Sequence, residues 1–245
     1  MININFFLKY PVSFKGKCYV YPPTLRDALT NEDFQFYISF LTLSQEEIED
    51  NLTENKKDVS NAMTPLETIM AYSQENTQFY EKIKQGFQLL LHEEVTFLFD
   101  QKKIVVGNLE KILPNLKSLN EIVIIDESEY FHLQNLIRDA CGFNMIEPPN
   151  PKEHPKIKRM KALARYRDRI KAKQGLGLKL SSTITSICCM GLGLNPLNIG
   201  EISYCALNEL VRVYQKKEKY ELDIQSLLAG ADSKKIKPQY WINND

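Results

Sequence analysis

Four prolines within ten residues, Pro148, Pro149, Pro151 and Pro155 in the run IEPPNPKEHP, constrain this chain more than any other feature. Proline locks φ and lacks a backbone N–H, so neither a helix interior nor an inner strand can pass through such a run. The run therefore reads as a linker. It divides the chain into an N-terminal part, 1–147, a connection, 148–155, and a C-terminal part, 156–245.

The N-terminal part carries both helix and strand signals. Lys17 to Tyr21 reads as a short strand before Pro22-Pro23. Ser44-x-x-Glu47 and Thr64-x-x-Glu67 are capping boxes, the second with Pro65 at the first helical position. From Asn76 the spacing of Phe79, Ile83, Phe87, Leu90 and Leu91 predicts an amphipathic helix. The period then changes to that of strands. Val95–Phe99 and Ile104–Val106 flank Asp100–Lys103 as a hairpin, and Glu121–Ile125 is a third apolar strand. Asp126 or Ser128 can cap a further helix, which Gly142 stops.

Beyond the prolines only helices are expected, over 155–174, 180–190, 198–217 and 218–231. The last two should be amphipathic helices separated by a charged hinge, QKKEK, and followed by a tail of basic and aromatic residues ending in Trp241. The fold class is thus α+β and mostly helical, with a small mixed sheet around 95–125 and an all-helical C-terminal domain.

No constellation in the chain points to catalysis. His92, His132 and His154 lie on separate elements with no second ligand at metal spacing. Gly175-Leu-Gly177 and Gly191-Leu-Gly193 lack a preceding strand and the Gly-Lys-Ser/Thr that grips phosphate. Cys18, Cys141, Cys188, Cys189 and Cys205 form no paired spacing, which fits a reducing compartment. A non-enzymatic protein without metal or cofactor is the expectation. The N-terminus lacks the features of a signal peptide, and no stretch approaches the roughly 20 apolar residues of a membrane span. A soluble, cytoplasmic protein with no membrane partner follows.

The 31 basic and 31 acidic residues cancel globally but not locally. All seven charged residues in 31–54 are acidic, namely Glu32, Asp33, Glu46, Glu47, Glu49, Asp50 and Glu54. They can be helix-terminal or solvated carboxylates, or an acidic dock for a basic segment. In helix 155–174, Met160, Leu163, Tyr166 and Ile170 share one side, while Lys158, Lys161, Arg165, Arg169 and Lys173 share the other. That basic face can meet a protein surface, including the acidic stretch of this chain or of a neighbour. It can also track a nucleic-acid backbone, or stay solvated. In the tail, Lys234, Lys235, Tyr240 and Trp241 are the second candidate contact; they either fold back on the helices or anchor another subunit.

The segment KKEKYELDIQSLLAGADSKKIKPQYW, 216–241, resembles the C-terminal part of tail assembly chaperones from tailed-bacteriophage morphogenesis clusters. YPPTLRDAL, 21–29, and YISFLTLSQEEIED, 37–50, are similar to phage structural proteins. The resemblance implies a protein of the host cytoplasm, or one associated with the virion, that works by protein–protein contact. It would gather the tape-measure protein, help polymerise the tail, or contact other tail proteins and further copies of itself. Members of that group are often all-helical, so the strands at 95–125 leave room for a tail or baseplate component. The alternative is a nucleic-acid-binding accessory protein using the face of 158–173.

Overall fold

A computed structural model describes residues 3–16, 18–54, 62–107, 122–146, 154–173, 180–190, 193–232 and 236–240; within these, the side chains at 53–54, 155, 158–159 and 168–173 lie outside the description. In chain order, α1 is Ile4–Phe7, β1 Val12–Phe14, β2 Cys18–Val20, α2 Leu25–Thr30, α3 Phe34–Leu41 and α4 Gln45–Glu54. Two longer helices follow, α5 Pro65–Glu75 and α6 Thr77–Leu91. The sheet region is β3 Val95–Leu98, β4 Lys103–Val106 and β5 Val123–Ile125, then α7 Glu127–Ala140. The remainder is helical: α8 Pro155–Lys173, α9 Leu180–Cys189 and α10 Tyr204–Leu228. The α+β class read from the sequence is the class observed.

Several helices begin where a side chain can accept their first N–H groups. Thr64 and Glu67 form a reciprocal capping box at α5, with Pro65 inside it, and Ser44 and Glu47 do the same at α4. At α7 the cap is Asp126, paired with Glu129. A fourth box, Thr24 with Asp27, opens α2.

Helix α6 is the centre of the core. Its apolar side, Phe79, Ile83, Phe87, Leu90 and Leu91, is buried, and it packs against α3, α5, β2 and β3. Gly86 permits the approach of α3, because a Cβ there would stand 2.8 Å from the Tyr37 ring. The β3–β4 hairpin turns through a 3-10 segment, Phe99–Gln101, and Lys102 at φ 51°. Strand β5 then adds to β4, giving the order β3-β4-β5. Both pairings are antiparallel, where the sequence suggested a mixed sheet. The tight turn imposes this on β3 and β4.

The start of α10 belongs to the same core. Tyr204, Cys205 and Leu207 join one cluster of buried residues with Phe6, Leu25, Phe34, Tyr130 and Ile137. Main-chain bonds reinforce the join. The Leu25 N–H donates to the Ile202 carbonyl at 2.9 Å, and the Tyr204 N–H donates to the Pro23 carbonyl at 2.7 Å. Gly142, at φ 73°, lets the end of α7 touch α10; a Cβ there would lie 2.9 Å from the Cys205 Cα. The core thus draws on both sides of the proline run, whose residues 147–153 lie outside the described ones, as do most of the two GLGL segments.

A second expectation is corrected. The charged hinge QKKEK does not break a helix: α10 runs unbroken from Tyr204 to Leu228, and its cap is Ser203, five residues later than the expected start. The reason is intrinsic propensity. Gln, Lys and Glu are good helix formers and the run holds no Gly or Pro. Spaced charges add to it, with Lys217 and Glu221 3.7 Å apart one turn apart in the helix.

Candidate functional site

The acidic stretch and the basic helix meet. In α4, Glu46 and Asp50 stand four residues apart and so share one face. Onto that face comes Arg165 of α8. Its Nε donates to Asp50 Oδ2 at 2.8 Å, its Nη2 to Asp50 Oδ1 at 3.5 Å, and its Nη1 to Glu46 Oε2. Planar, forked guanidinium donors match carboxylates in this way, which lysine cannot do. The side chains are sheltered, 27% exposed at Arg165 and 15% at Asp50. The hydrogen bond to Asp50 holds Arg165 above its ordinary pKa against the opposing effect of burial, and Glu46 adds to the same shift.

This contact sets the orientation of α8. Arg165 and its neighbour Ala162 are half-buried, so the helix faces the body with its basic side. The apolar side points away. Ile157, Met160, Leu163 and Tyr166 are 46–62% exposed. An amphipathic helix ordinarily buries that side. Here the nearest surface offers carboxylates rather than an apolar groove, and the guanidinium satisfies them. Of the other basic residues singled out on α8, Lys161 is exposed, while the side chains of Lys158, Arg169 and Lys173 lie outside the described ones.

The second candidate contact involves α10 and the tail. Ser203 caps α10 by accepting from the Ala206 N–H at 3.2 Å and donates to the Phe7 carbonyl, also at 3.2 Å. The first turn, Tyr204–Leu207, is buried. Further along, the helix leaves the core, and Leu222 and Leu228 are 61% and 82% exposed. Tyr240 returns onto this distal half, its ring 5.5 Å from that of Tyr220 in an edge-on arrangement. Lys234, Lys235 and Trp241 lie outside the described residues.

Other polar groups contribute to the fold. Arg138 donates to the Asn144 carbonyl at 2.6 Å and to the Thr42 carbonyl that ends α3, and burial lowers its pKa. It lines a cleft of about 380 Å3 with Ile38, Thr42, Glu47, Asn51 and Phe143. His92 ends α6 at φ 55° and stacks on Tyr21, ring centroids 3.8 Å apart. Burial pushes the Cys18 thiol up to about 11 and raises Cys141 and Cys205 as well. A thiol held protonated is a poor nucleophile. Among the described residues, no group of three or more His, Cys, Asp or Glu side chains could hold a metal ion. No helix among them is long and apolar enough to cross a membrane.

Reading the sequence isolates the acidic stretch and the basic face, and leaves open whether they meet. It does not single out Glu46 and Asp50 from the other acids. Their i, i+4 spacing puts them on one face, but Asp50 and Glu54 share that spacing, so it does not separate the pair from the other acids.

Residues 170–244 match the model of the YomV second domain, a phage-derived protein family. The matched region takes in the end of α8, then α9, α10 and the tail, under a third of the chain, and it points to a phage protein. No curated protein and no solved structure matches the chain.

Proposed function

We propose that this chain is a non-enzymatic phage protein of tail morphogenesis that acts by protein–protein contact, with the helical region after Pro155 as its main interface. The observation that carries the reading is the form of α10 inside the matched region. The first two turns, through Leu210 and Val211, pack on the core, and in the distal half Leu222 and Leu228 are exposed. A helix fixed at one end, with leucines exposed at the other, is suited to laying them into a partner's groove or beside another helix. The resemblance of 216–241 to tail assembly chaperones makes a coiled-coil tape-measure protein the first partner to test. Such a protein would act in the host cytoplasm or remain with the virion.

The test is co-expression with the tape-measure protein of the same gene cluster, followed by an affinity column at moderate salt. Retention of the partner is expected, and its loss when Leu222 and Leu228 are both replaced by Lys. Clean separation of the two unaltered proteins would overturn the tape-measure assignment. Recovery of nucleic acid in place of protein, released steeply by salt, would transfer the function to the basic helix.

A further inference from the structure

The side of α8 that points away from the body has a pattern of its own. Ile157, Met160, Leu163 and Tyr166 succeed one another at intervals of three and all four are exposed. Residues so spaced form one ridge that crosses the helix surface obliquely. Its ends, Ile157 and Tyr166, stand on opposite sides of the helix, so Met160 and Leu163 at its centre are what the groove of a second helix would meet. The ridge spans about 14 Å along the axis at 1.5 Å per residue. The sequence around it is basic. Between Pro155 and Lys173 the chain has nine Lys and Arg and a single acid, Asp168. Lys156 and Arg167 are exposed and, at 100° per residue, project from the same sector as Met160 and Leu163.

We propose that this ridge seats an amphipathic helix of a partner protein whose apolar stripe is bordered by carboxylates. The inference rests on the protein-contact reading above and names the chemistry of a second contact. Charge complementarity carries it, and the molecule already contains an instance. The opposite side of α8 docks on an acidic helix, α4, by setting Arg165 on Glu46 and Asp50. That docking also holds the ridge outward, so the surface is presented before any partner arrives. A lipid surface fits less well. A helix lying in a membrane interface keeps its basic residues on the face away from the lipid. Here that face is turned to α4, and Lys156 and Arg167 stand among the apolar side chains.

The experiment uses the full chain and two designed, fluorescein-labelled helical peptides with the same leucine stripe, one bordered by Glu and the other by Lys. Binding is read by anisotropy at low and at moderate salt. The Glu-bordered peptide should bind at least about tenfold more tightly than the Lys-bordered one, a difference of about 1.4 kcal/mol, and lose affinity as salt rises. Replacing Met160 and Leu163 together by Lys should cost at least about tenfold in that affinity with an unchanged circular dichroism spectrum, because both residues are exposed. Equal binding of the two peptides, or affinity indifferent to the substitutions, would overturn the proposal. So would anionic phosphatidylglycerol vesicles displacing the peptide, or self-association of the chain that the same substitutions abolish. If the Met160→Lys/Leu163→Lys protein binds neither peptide yet still retains the tape-measure protein, both readings stand with separate surfaces. If the tape-measure protein is lost only with the α10 substitutions and the peptides never bind, this proposal alone fails.

Discussion

Helices α6 and α8 both place apolar residues on one side, yet the sides are placed oppositely, and α8 is far more basic. Both carry an apolar side and a charged side. Helix α6 turns Phe79, Ile83, Phe87, Leu90 and Leu91 into the core. Helix α8 turns Met160, Leu163 and Tyr166 outward and sets Arg165 against Glu46 and Asp50. The difference teaches that periodicity decides which residues share a face, while the surface on offer decides which face is used. Around α6 that surface is apolar, from α3, α5 and β3. Beside α8 it is acidic.

The comparison can be broken first at the core. Phe87→Ala should destabilise the protein by about 4 kcal/mol, the range for truncating a fully buried aromatic, as read by denaturant unfolding. A loss under roughly 1 kcal/mol would mean that α6 is not the packed centre described above. Next comes the join between α7 and α10. Gly142→Ala combines a left-handed backbone with a Cβ 2.9 Å from the Cys205 Cα, so about 3 kcal/mol should be lost. An unchanged midpoint there would separate α10 from the body.

A smaller effect is expected at the ion pair. Arg165→Ala should cost about 1 kcal/mol and speed hydrogen exchange throughout α8, with both effects shrinking at high salt. If exchange in α8 is already as fast in the unaltered protein, Arg165 does not orient the helix. The smallest change belongs to the exposed side. Met160→Ala and Leu163→Ala should each stay within about 0.5 kcal/mol of the parent, since both side chains are about half exposed and lie outside the core. A cost near that of Phe87→Ala would place the ridge in the core and reverse the comparison.

Much of the local structure was legible because its causes are local. Thr64, Pro65 and Glu67 start α5 by satisfying N–H groups within one turn of themselves. Val95, Val105 and Ile124 mark strands through stiff, branched side chains that suit a pleated surface. The charged run 215–219 misled for the opposite reason. Polarity resembles a hinge on paper, yet those residues favour helix, and only Gly or Pro would have interrupted α10. The candidate site was legible in its parts and not in its arrangement. A basic face and an acidic stretch can be counted, but 115 positions separate Asp50 from Arg165.

Sequence alone determined the class of fold, the caps of α4 and α5 and the amphipathic pattern of α6, since these depend on neighbours within a turn or a strand. Tertiary structure decided that α10 is rooted against Pro23, Phe7 and Cys141, that one core draws on both sides of the proline run, and that α8 shows its apolar side to solvent. Those outcomes depend on which surfaces meet. A helix carries the same pattern whether its groove is apolar or acidic, so the pattern cannot tell them apart; Glu46 and Asp50, standing where α8 arrives, make the choice.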